Sequence, residues 1–415
     1  MQKKIKSSTL YNWTIFLILT FGAFIRIFRI NEILGFWYDQ GRDALVIWDL
    51  IHSHKFFLIG PTTGLPGVFR GPWYYYLIAP FYWIGKGDPA YPAAFLALTT
   101  VLGIYIIFRI AQKRFGNLTA FIFTLISSIS FYFLRSSRWL SNPTPMFLIS
   151  ALFLLGISKV LEKKEWGWYL IAGMSGMAMQ FGSAAEVFYL PVAVIFALIY
   201  KKYFPKLSTI IISAIFFAIP FVPQALFDLR HNWIITKAII NNFSGGSNSK
   251  ISWLSFLSQR LSLYYDIFAS KIFSNNTIYV LPFLLVGVYG LLSNIKNIFK
   301  NEAPSTLRSG FLLPTLRRER NPSEMKSTSL THELTLGVFA KGDKFFVVIL
   351  ITIFTPFIGL MFFRGNYGNL YDYYFTGYYF PMILLFSTLI LPNCIFVITF
   401  PIPLCRSYHA PILSG

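Results

Sequence analysis

Apolar runs alternate with short polar stretches from Trp13 to Phe400. Runs approaching the ~20 residues that a helix needs to cross a bilayer recur at roughly 13–30, 92–111, 118–134, 145–161, 166–184, 186–200, 207–226, 277–293, 345–362 and 378–400. The pattern predicts an all-α fold, a polytopic transmembrane helical bundle of about ten spans. A long first loop, 31–91, separates the first two spans and holds its own candidate helices. After Gly41, RDALVIWDLIHSH places apolar residues at 44, 47, 48 and 51, which fit one face of a helix lying along the interface. The segment 72–87, PWYYYLIAPFYWIGKG, is apolar and aromatic but short, with Pro80 in its middle.

Charge decides how to treat that segment. If 72–87 does not cross, the clusters Lys3–Lys6, Arg109–Arg114, Lys159–Lys164, Lys201–Lys206 and Lys296–Lys344 fall on one side. If it crosses, every cluster after the first changes face. Basic residues favour the cytoplasmic side, so the segment reads as a re-entrant or juxtamembrane hairpin on the outer face. The outer side then carries loops 31–91, 135–144, 227–276 and 363–377. It gathers Asp39, Arg42, Asp43, Arg70, Arg135, Arg138, Asp228, Arg230, His231, Arg364 and Asp372. One site built from several loops is the economical reading.

Composition supports a membrane protein. The chain is 55% hydrophobic and only 13% charged, against about a quarter charged in soluble domains, and its mean hydropathy is +0.58. The net charge of +20 lies in clusters between apolar runs, which points to topology and anionic headgroups, not nucleic acid. Cys394 and Cys405 form no disulfide framework, and the five histidines have no metal-ligand spacing. Lys3, Lys4 and Lys6 lead into a full-length span without a small-residue cleavage site, the pattern of a retained segment and not of a cleaved signal peptide. The expected organisation is a transmembrane module over 1–299, a basic, polar cytoplasmic loop over 300–344, and C-terminal spans over 345–415 whose tail after Phe400 stops abruptly.

Within the outer loops, Asp39 and Asp43 stand at the start of the interfacial helix. An acid there suits a helix cap as well as a reacting carboxylate. Arg70 follows the Gly- and Pro-rich stretch 58–69 and can bind a phosphate through two donors, or meet lipid headgroups. Arg135 and Arg138 stand against the positive-inside bias, and Asn142-Pro143 breaks the chain before the next span. FDLRHNW at 227–233 allows an ion pair of Asp228 with Arg230. Glu186 lies near an outer span end, suited equally to a helix-end role and to a site. Tyr371, Tyr373, Tyr374, Tyr378 and Tyr379 suit an aromatic belt or stacking on a sugar.

These residues resemble the GT-C superfamily of lipid-phosphate-sugar-dependent glycosyltransferases, in its family 39-like group: protein O-mannosyltransferases, aminoarabinose lipid A transferases and the Rgt-like bacterial transferases. The likeness covers 1–235, with a weaker stretch at 363–385. It rests on Asp39-Gln40-Gly41-Arg42 after span one, Arg70-Gly71-Pro72-Trp73-Tyr74-Tyr75 closing the first loop, Arg138 to Pro143 after span three, and the Tyr-rich run Tyr371 to Pro381. The resemblance implies an inverting transfer of a sugar from a polyprenyl-phosphate donor to a hydroxyl of a lipid, glycan or protein, on the outer face of a bacterial inner membrane. Asp39 would be the base, with Asp43 behind it. Arg42, Arg70, Arg138 and Arg230 would hold the donor phosphate, and Asn142, His231, Tyr371 and Tyr374 the substrates. Gln40 and Asn142 stand where relatives often have further acids, and Phe69-Arg70-Gly71 where some have an acid or histidine. These departures argue against a divalent metal site, and no other cofactor is implied. The competing class is a polyprenyl-lipid flippase or transporter, which favours ionisable groups near the midplane and repeated halves. An inactive scaffold of the same fold is a third.

Cysteine labelling in intact cells tests the topology. Positions in 36–91 and 227–276 should react from outside and positions in 300–344 only after permeabilisation; the reverse pattern would overturn the charge argument.

Overall fold

The computed structural model describes residues 2–244, 253–272, 344–361 and 370–390. Their regular structure is helical: α1 Gln2–Ile27, α2 Ile30–Ile33, α3 Tyr38–His52, α4 Trp73–Ile84, α5 Ala90–Phe115, α6 Asn117–Ile129, α7 Phe131–Ser137, α8 Met146–Leu161, α9 Trp166–Phe181, α10 Tyr189–Ile199, α11 Leu207–Ala218, α12 Val222–Arg230, α13 Ile234–Ser244, α14 Trp253–Ile272, α15 Lys344–Leu360 and α16 Tyr379–Ile390. The expected span 277–293, nearly all of the basic loop 300–344, Arg364, the end of the last span and the tail with both cysteines lie outside the described residues.

Three helical stretches are long and apolar enough to cross a membrane: Thr9–Ile27, Ala90–Phe115 and Leu207–Arg230. α6 and α7 make a fourth if taken as one span bent by 65°. α8 and α15 are apolar but shorter, as is the stretch Glu186–Ile199. Among the described residues the expected spans are thus present as helices, several of them broken or short. α4 has 12 residues with Pro80 inside. At 1.5 Å per residue it reaches about 18 Å, short of the ~30 Å hydrocarbon layer, which fits a hairpin that does not cross. The stretch 227–276, expected as a loop, is largely helical: α12 runs on to Arg230, and α13 and the 20-residue α14 follow. α14 packs on α7 and α16.

The bundle is assembled around α5, α8 and α9. α8 lies along α9, α9 along α11, and α5 contacts both α6 and α8. Gly156 and Gly167 face each other's backbone, so α8 and α9 approach closely where any side chain would collide. Phe123, Phe133, Phe147 and Phe380 join α6, α7, α8 and α16 in one buried aromatic cluster. The faces of α1 and α11 carrying Trp13, Leu17, Phe24, Ile211 and Ile215 are exposed, as expected of helices with lipid for a neighbour.

One charge lies inside this apolar setting. Arg26, in the last turn of α1, is completely buried. Its Nη1 donates to the carbonyls of Gly22 (2.9 Å) and Ser128 (3.0 Å), and its Nη2 to that of Ser127 (2.7 Å). Ser127 and Ser128 belong to the last turn of α6, where helix carbonyls lack helical partners and the dipole favours a cation. The guanidinium also lies over the Phe133 ring of α7, 5.5 Å from its centroid. Arg26 therefore ties α1 to the bend between α6 and α7. Replacing it with Met should lower stability in detergent by about 1–2 kcal/mol, two interhelical hydrogen bonds at membrane-protein magnitudes. An unchanged thermal midpoint would refute that role.

Candidate functional site

α3 buries Ile47 of its expected apolar stripe together with two polar residues. Gln40, Asp43 and Ile47 point into the protein, while Leu45 and Trp48 are exposed. The polar residues turn inward because they meet polar partners there. Gln40 Nε2 donates to the Leu140 carbonyl (2.9 Å), and its Oε1 accepts from the Trp37 amide (2.9 Å) at the helix start. Neither Asp39 nor Asp43 is the N-cap, a position held by Trp37. Arg42 bridges the two acids: Nε and Nη2 reach Asp43 Oδ1 (2.9 and 2.7 Å), and Nη1 reaches Asp39 Oδ1 (3.0 Å). The Tyr75 hydroxyl of α4 donates to the same Asp43 oxygen (3.2 Å). Asp43 is buried, but 64% of the Asp39 side chain is exposed. Of the two carboxylates, Asp39 is the one an incoming molecule can touch.

Arg70 stands at the end of a tight turn. Gly60 N donates to the Arg70 carbonyl (2.7 Å) and Arg70 N to that of Pro61 (3.0 Å). Gly71 N donates to Gln180 Oε1 of α9 (2.6 Å), Gln180 Nε2 to Gln224 Oε1 of α12 (3.3 Å), and Gln224 Nε2 to the Phe69 carbonyl (2.7 Å). Gly71 is required here, because a side chain would strike Gln180. The guanidinium itself makes no hydrogen bond or ion pair among the described residues, although it is partly buried. Burial holds it below its ordinary value, and Glu186, Tyr373 and Tyr374 oppose that shift. Glu186 is fully buried at the turn before α10, its oxygens accepting from Ser183 N (2.6 Å) and Gly377 N (3.3 Å).

Contacts link these pieces into one cluster. Gln40 holds Leu140, the adjacent Trp139 packs edge-on to Tyr373 at 5.6 Å, Tyr373 and Glu186 are electrostatic neighbours of Arg70, and Tyr75 returns to Asp43. The other candidates have different surroundings. Arg138 donates from Nε to the Arg26 carbonyl (3.0 Å) and from Nη2 to the Phe28 carbonyl, closing the end of α1. The anticipated pair of Asp228 with Arg230 does not form. Asp228 instead accepts from Ile235 N (2.7 Å), Thr236 N (3.2 Å) and Thr236 Oγ1 (2.6 Å), capping α13. Arg230 is exposed, and His231 is stacked on Phe227 with Nδ1 at the Phe227 carbonyl. Asn142 is buried and donates to the Phe181 carbonyl. Tyr371 is exposed and parallel to Tyr373 at 5.5 Å, whereas Tyr374, Tyr378 and Tyr379 are buried and form no belt. Among the described residues no three His, Cys, Asp or Glu side chains converge as metal ligands.

Sequence reading did not single out Gln180, Gln224 or Arg26. A lone amide inside GMAMQFG and a lone arginine inside an apolar span were the available signals, since a polar group in such a run must find a partner.

Residues 70–227 match the family model of dolichyl-phosphate-mannose-protein mannosyltransferases. The match supports a GT-C glycosyltransferase of the family 39-like kind. It opens on Arg70 and includes Arg138, Asn142, Gln180, Glu186 and Gln224; Asp39 precedes it. No curated protein and no solved structure matches the chain. The apolar helices are those of an integral membrane protein.

The buried acid of α3 gives a pH prediction. Burial pushes the Asp43 carboxyl above its ordinary 3.8, more than the hydrogen bonds from Arg42 and Tyr75 pull it down. A carboxyl raised in the folded state adds stability that is present below the unfolded pKa and is lost as pH rises through the folded one. The thermal midpoint of the wild type relative to Asp43→Asn should therefore fall as pH rises from about 4. A flat difference would show that Asp43 is not shifted.

Proposed function

We propose that this chain transfers a sugar from a polyprenyl-phosphate donor to a hydroxyl acceptor at the outer face of the membrane, with inversion at the anomeric carbon. The observation that carries this reading is a chain of contacts, from Gln40 through Leu140 and Trp139 to Tyr373, that joins the helix of an exposed carboxylate, Asp39, to the surroundings of a guanidinium with no partner among the described residues, Arg70. The family match supports glycosyl transfer. The positive-inside distribution of Lys and Arg supports the outer face.

In this mechanism the acceptor oxygen attacks the anomeric carbon as the bond from that carbon to the phosphate oxygen breaks. The acceptor proton passes to Asp39, and the polyprenyl phosphate leaves as an anion. Arg70 neutralises the leaving phosphate, where a fixed cation in a partly dehydrated setting is worth more than in water. Arg230, exposed at the end of α12, is a second cation for the same donor. Arg42 orients Asp39 through their 3.0 Å contact. Arg138 and Asp43, each held by several bonds inside the protein, support the fold around the site. Tyr371 offers the exposed ring for a sugar; Tyr374, Asn142 and His231 are engaged within the protein.

Asp39→Asn should abolish transfer in membranes supplied with a panel of polyprenyl-phosphate sugars, while expression and insertion stay at the wild-type level. Full transfer by this variant would exclude Asp39 as the base. Absence of transfer by the wild type from every such donor would exclude the reading as a whole.

A further inference from the structure

The stretch 69–71 has an unusual degree of fixation for a loop. Its four consecutive interior backbone groups are all bonded: Phe69 O to Gln224, Arg70 N to Pro61 O, Arg70 O to Gly60 N, and Gly71 N to Gln180. Two residues on, Trp73 Nε1 donates to the Pro220 carbonyl (2.7 Å) at the break between α11 and α12. The two glutamines come from different helices, and their amides can be arranged in only one way. Gly71 N–H is a donor, so Gln180 must present its oxygen. The Phe69 carbonyl is an acceptor, so Gln224 must present its NH2 group. The remaining Gln180 NH2 then faces the remaining Gln224 oxygen, which is the 3.3 Å contact observed. Gln180 is buried and Gln224 half-buried, so a broken link would leave amide groups without partners. Such a chain fixes the backbone on both sides of Arg70 and leaves the side chain as the only free part of the residue.

We propose that Gln180 and Gln224 form a positioning relay for Arg70, one that sets where the guanidinium meets the phosphate of a prenyl-phosphate ligand. This rests on the reading of Arg70 as the phosphate-binding group. The relay touches no reacting atom; it acts through Arg70. It also couples the ligand to the placement of α12 relative to α9, because those two helices supply the amides.

Binding, not turnover, tests this. The full chain in detergent is titrated with farnesyl phosphate, a short polyprenyl monophosphate, and with farnesol as the uncharged control. The variants are Gln180→Met, Gln224→Met, Arg70→Ala and the double variant Gln180→Met/Arg70→Ala. Methionine keeps the length of the side chain while removing both amide groups. Gln180→Met and Arg70→Ala should each weaken farnesyl phosphate binding about tenfold, the scale of one lost charge-assisted contact, with farnesol binding unchanged. The double variant should bind no worse than Arg70→Ala alone, because the relay has nothing left to position. Gln224→Met should behave as Gln180→Met. Wild-type affinity in Gln180→Met, or losses that multiply in the double variant, would overturn the relay. A wild type that does not prefer farnesyl phosphate over farnesol would overturn both the relay and the role of Arg70. Failure of sugar transfer alone leaves this readout intact, so the two readings fail separately.

Discussion

The constraint behind this structure is that backbone groups freed at a helix break need partners where no water reaches them. The bundle has several such breaks: Ser130 between α6 and α7, the stretch Gly182–Phe188 before α10, and Ile219–Phe221 between α11 and α12. Ionisable or amide side chains meet most of them. Arg26 takes the carbonyls at the end of α6, Arg138 those at the end of α1, Glu186 the amides of Ser183 and Gly377, and Asp228 the amides that open α13. Trp73 takes the carbonyl at Pro220. Charged groups near these breaks thus divide in two. Those with carbonyls or amides as partners hold helix ends; those without such partners among the described residues are the candidates for a site.

That division sharpens the choice among the residues that a sequence can only collect. Arg70, Arg138 and Arg230 look alike in sequence, each an arginine near an outer span end. Arg138 has two carbonyls for partners, Arg70 has none among the described residues, and Arg230 is at the surface. Asp39 and Asp43 differ in the same way, one exposed and one enclosed by Arg42 and Tyr75. The distinction depends on contacts far apart in the chain, such as Asp43 with Tyr75, 32 positions away, and Arg138 with the Arg26 carbonyl, 112 positions away. No local pattern encodes it.

Much else was legible. Apolar runs located α5, α8, α9 and α15 to within a few residues, because a long apolar segment has few alternatives to a helix in a bilayer. The shortness of α4 agrees with the short apolar run around Pro80. Two features misled. The helical character of 253–272 was hidden by its Ser, Gln, Arg and Asp, which read as loop until their packing on α7 and α16 is known. The periodicity of α3 showed its apolar stripe at 44, 47, 48 and 51 but not that Gln40 and Asp43 are buried beside Ile47. In a bilayer the apolar side of an amphipathic helix can be the outer one, and then the polar side builds the site.

The seating of α3 therefore bears on the chemistry directly. Had Ala44, Ile47 and Trp48 turned inward together, Asp43 and Arg42 would lie in water and their mutual attraction would be weak. With Gln40 fixed to Leu140 and Asp43 to Tyr75, α3 is locked in rotation at two points three residues apart. Asp39 then sits one residue before the first anchor, on the rim of the buried face, with Arg42 alongside. The same lock brings the Leu140 segment, and through Trp139 the Tyr373 neighbourhood of Arg70, to the acid. A carboxylate and a cation from two parts of the first loop are thus placed largely by the hydrogen bonds of their neighbours. Gln40 is one of the residues that do the placing.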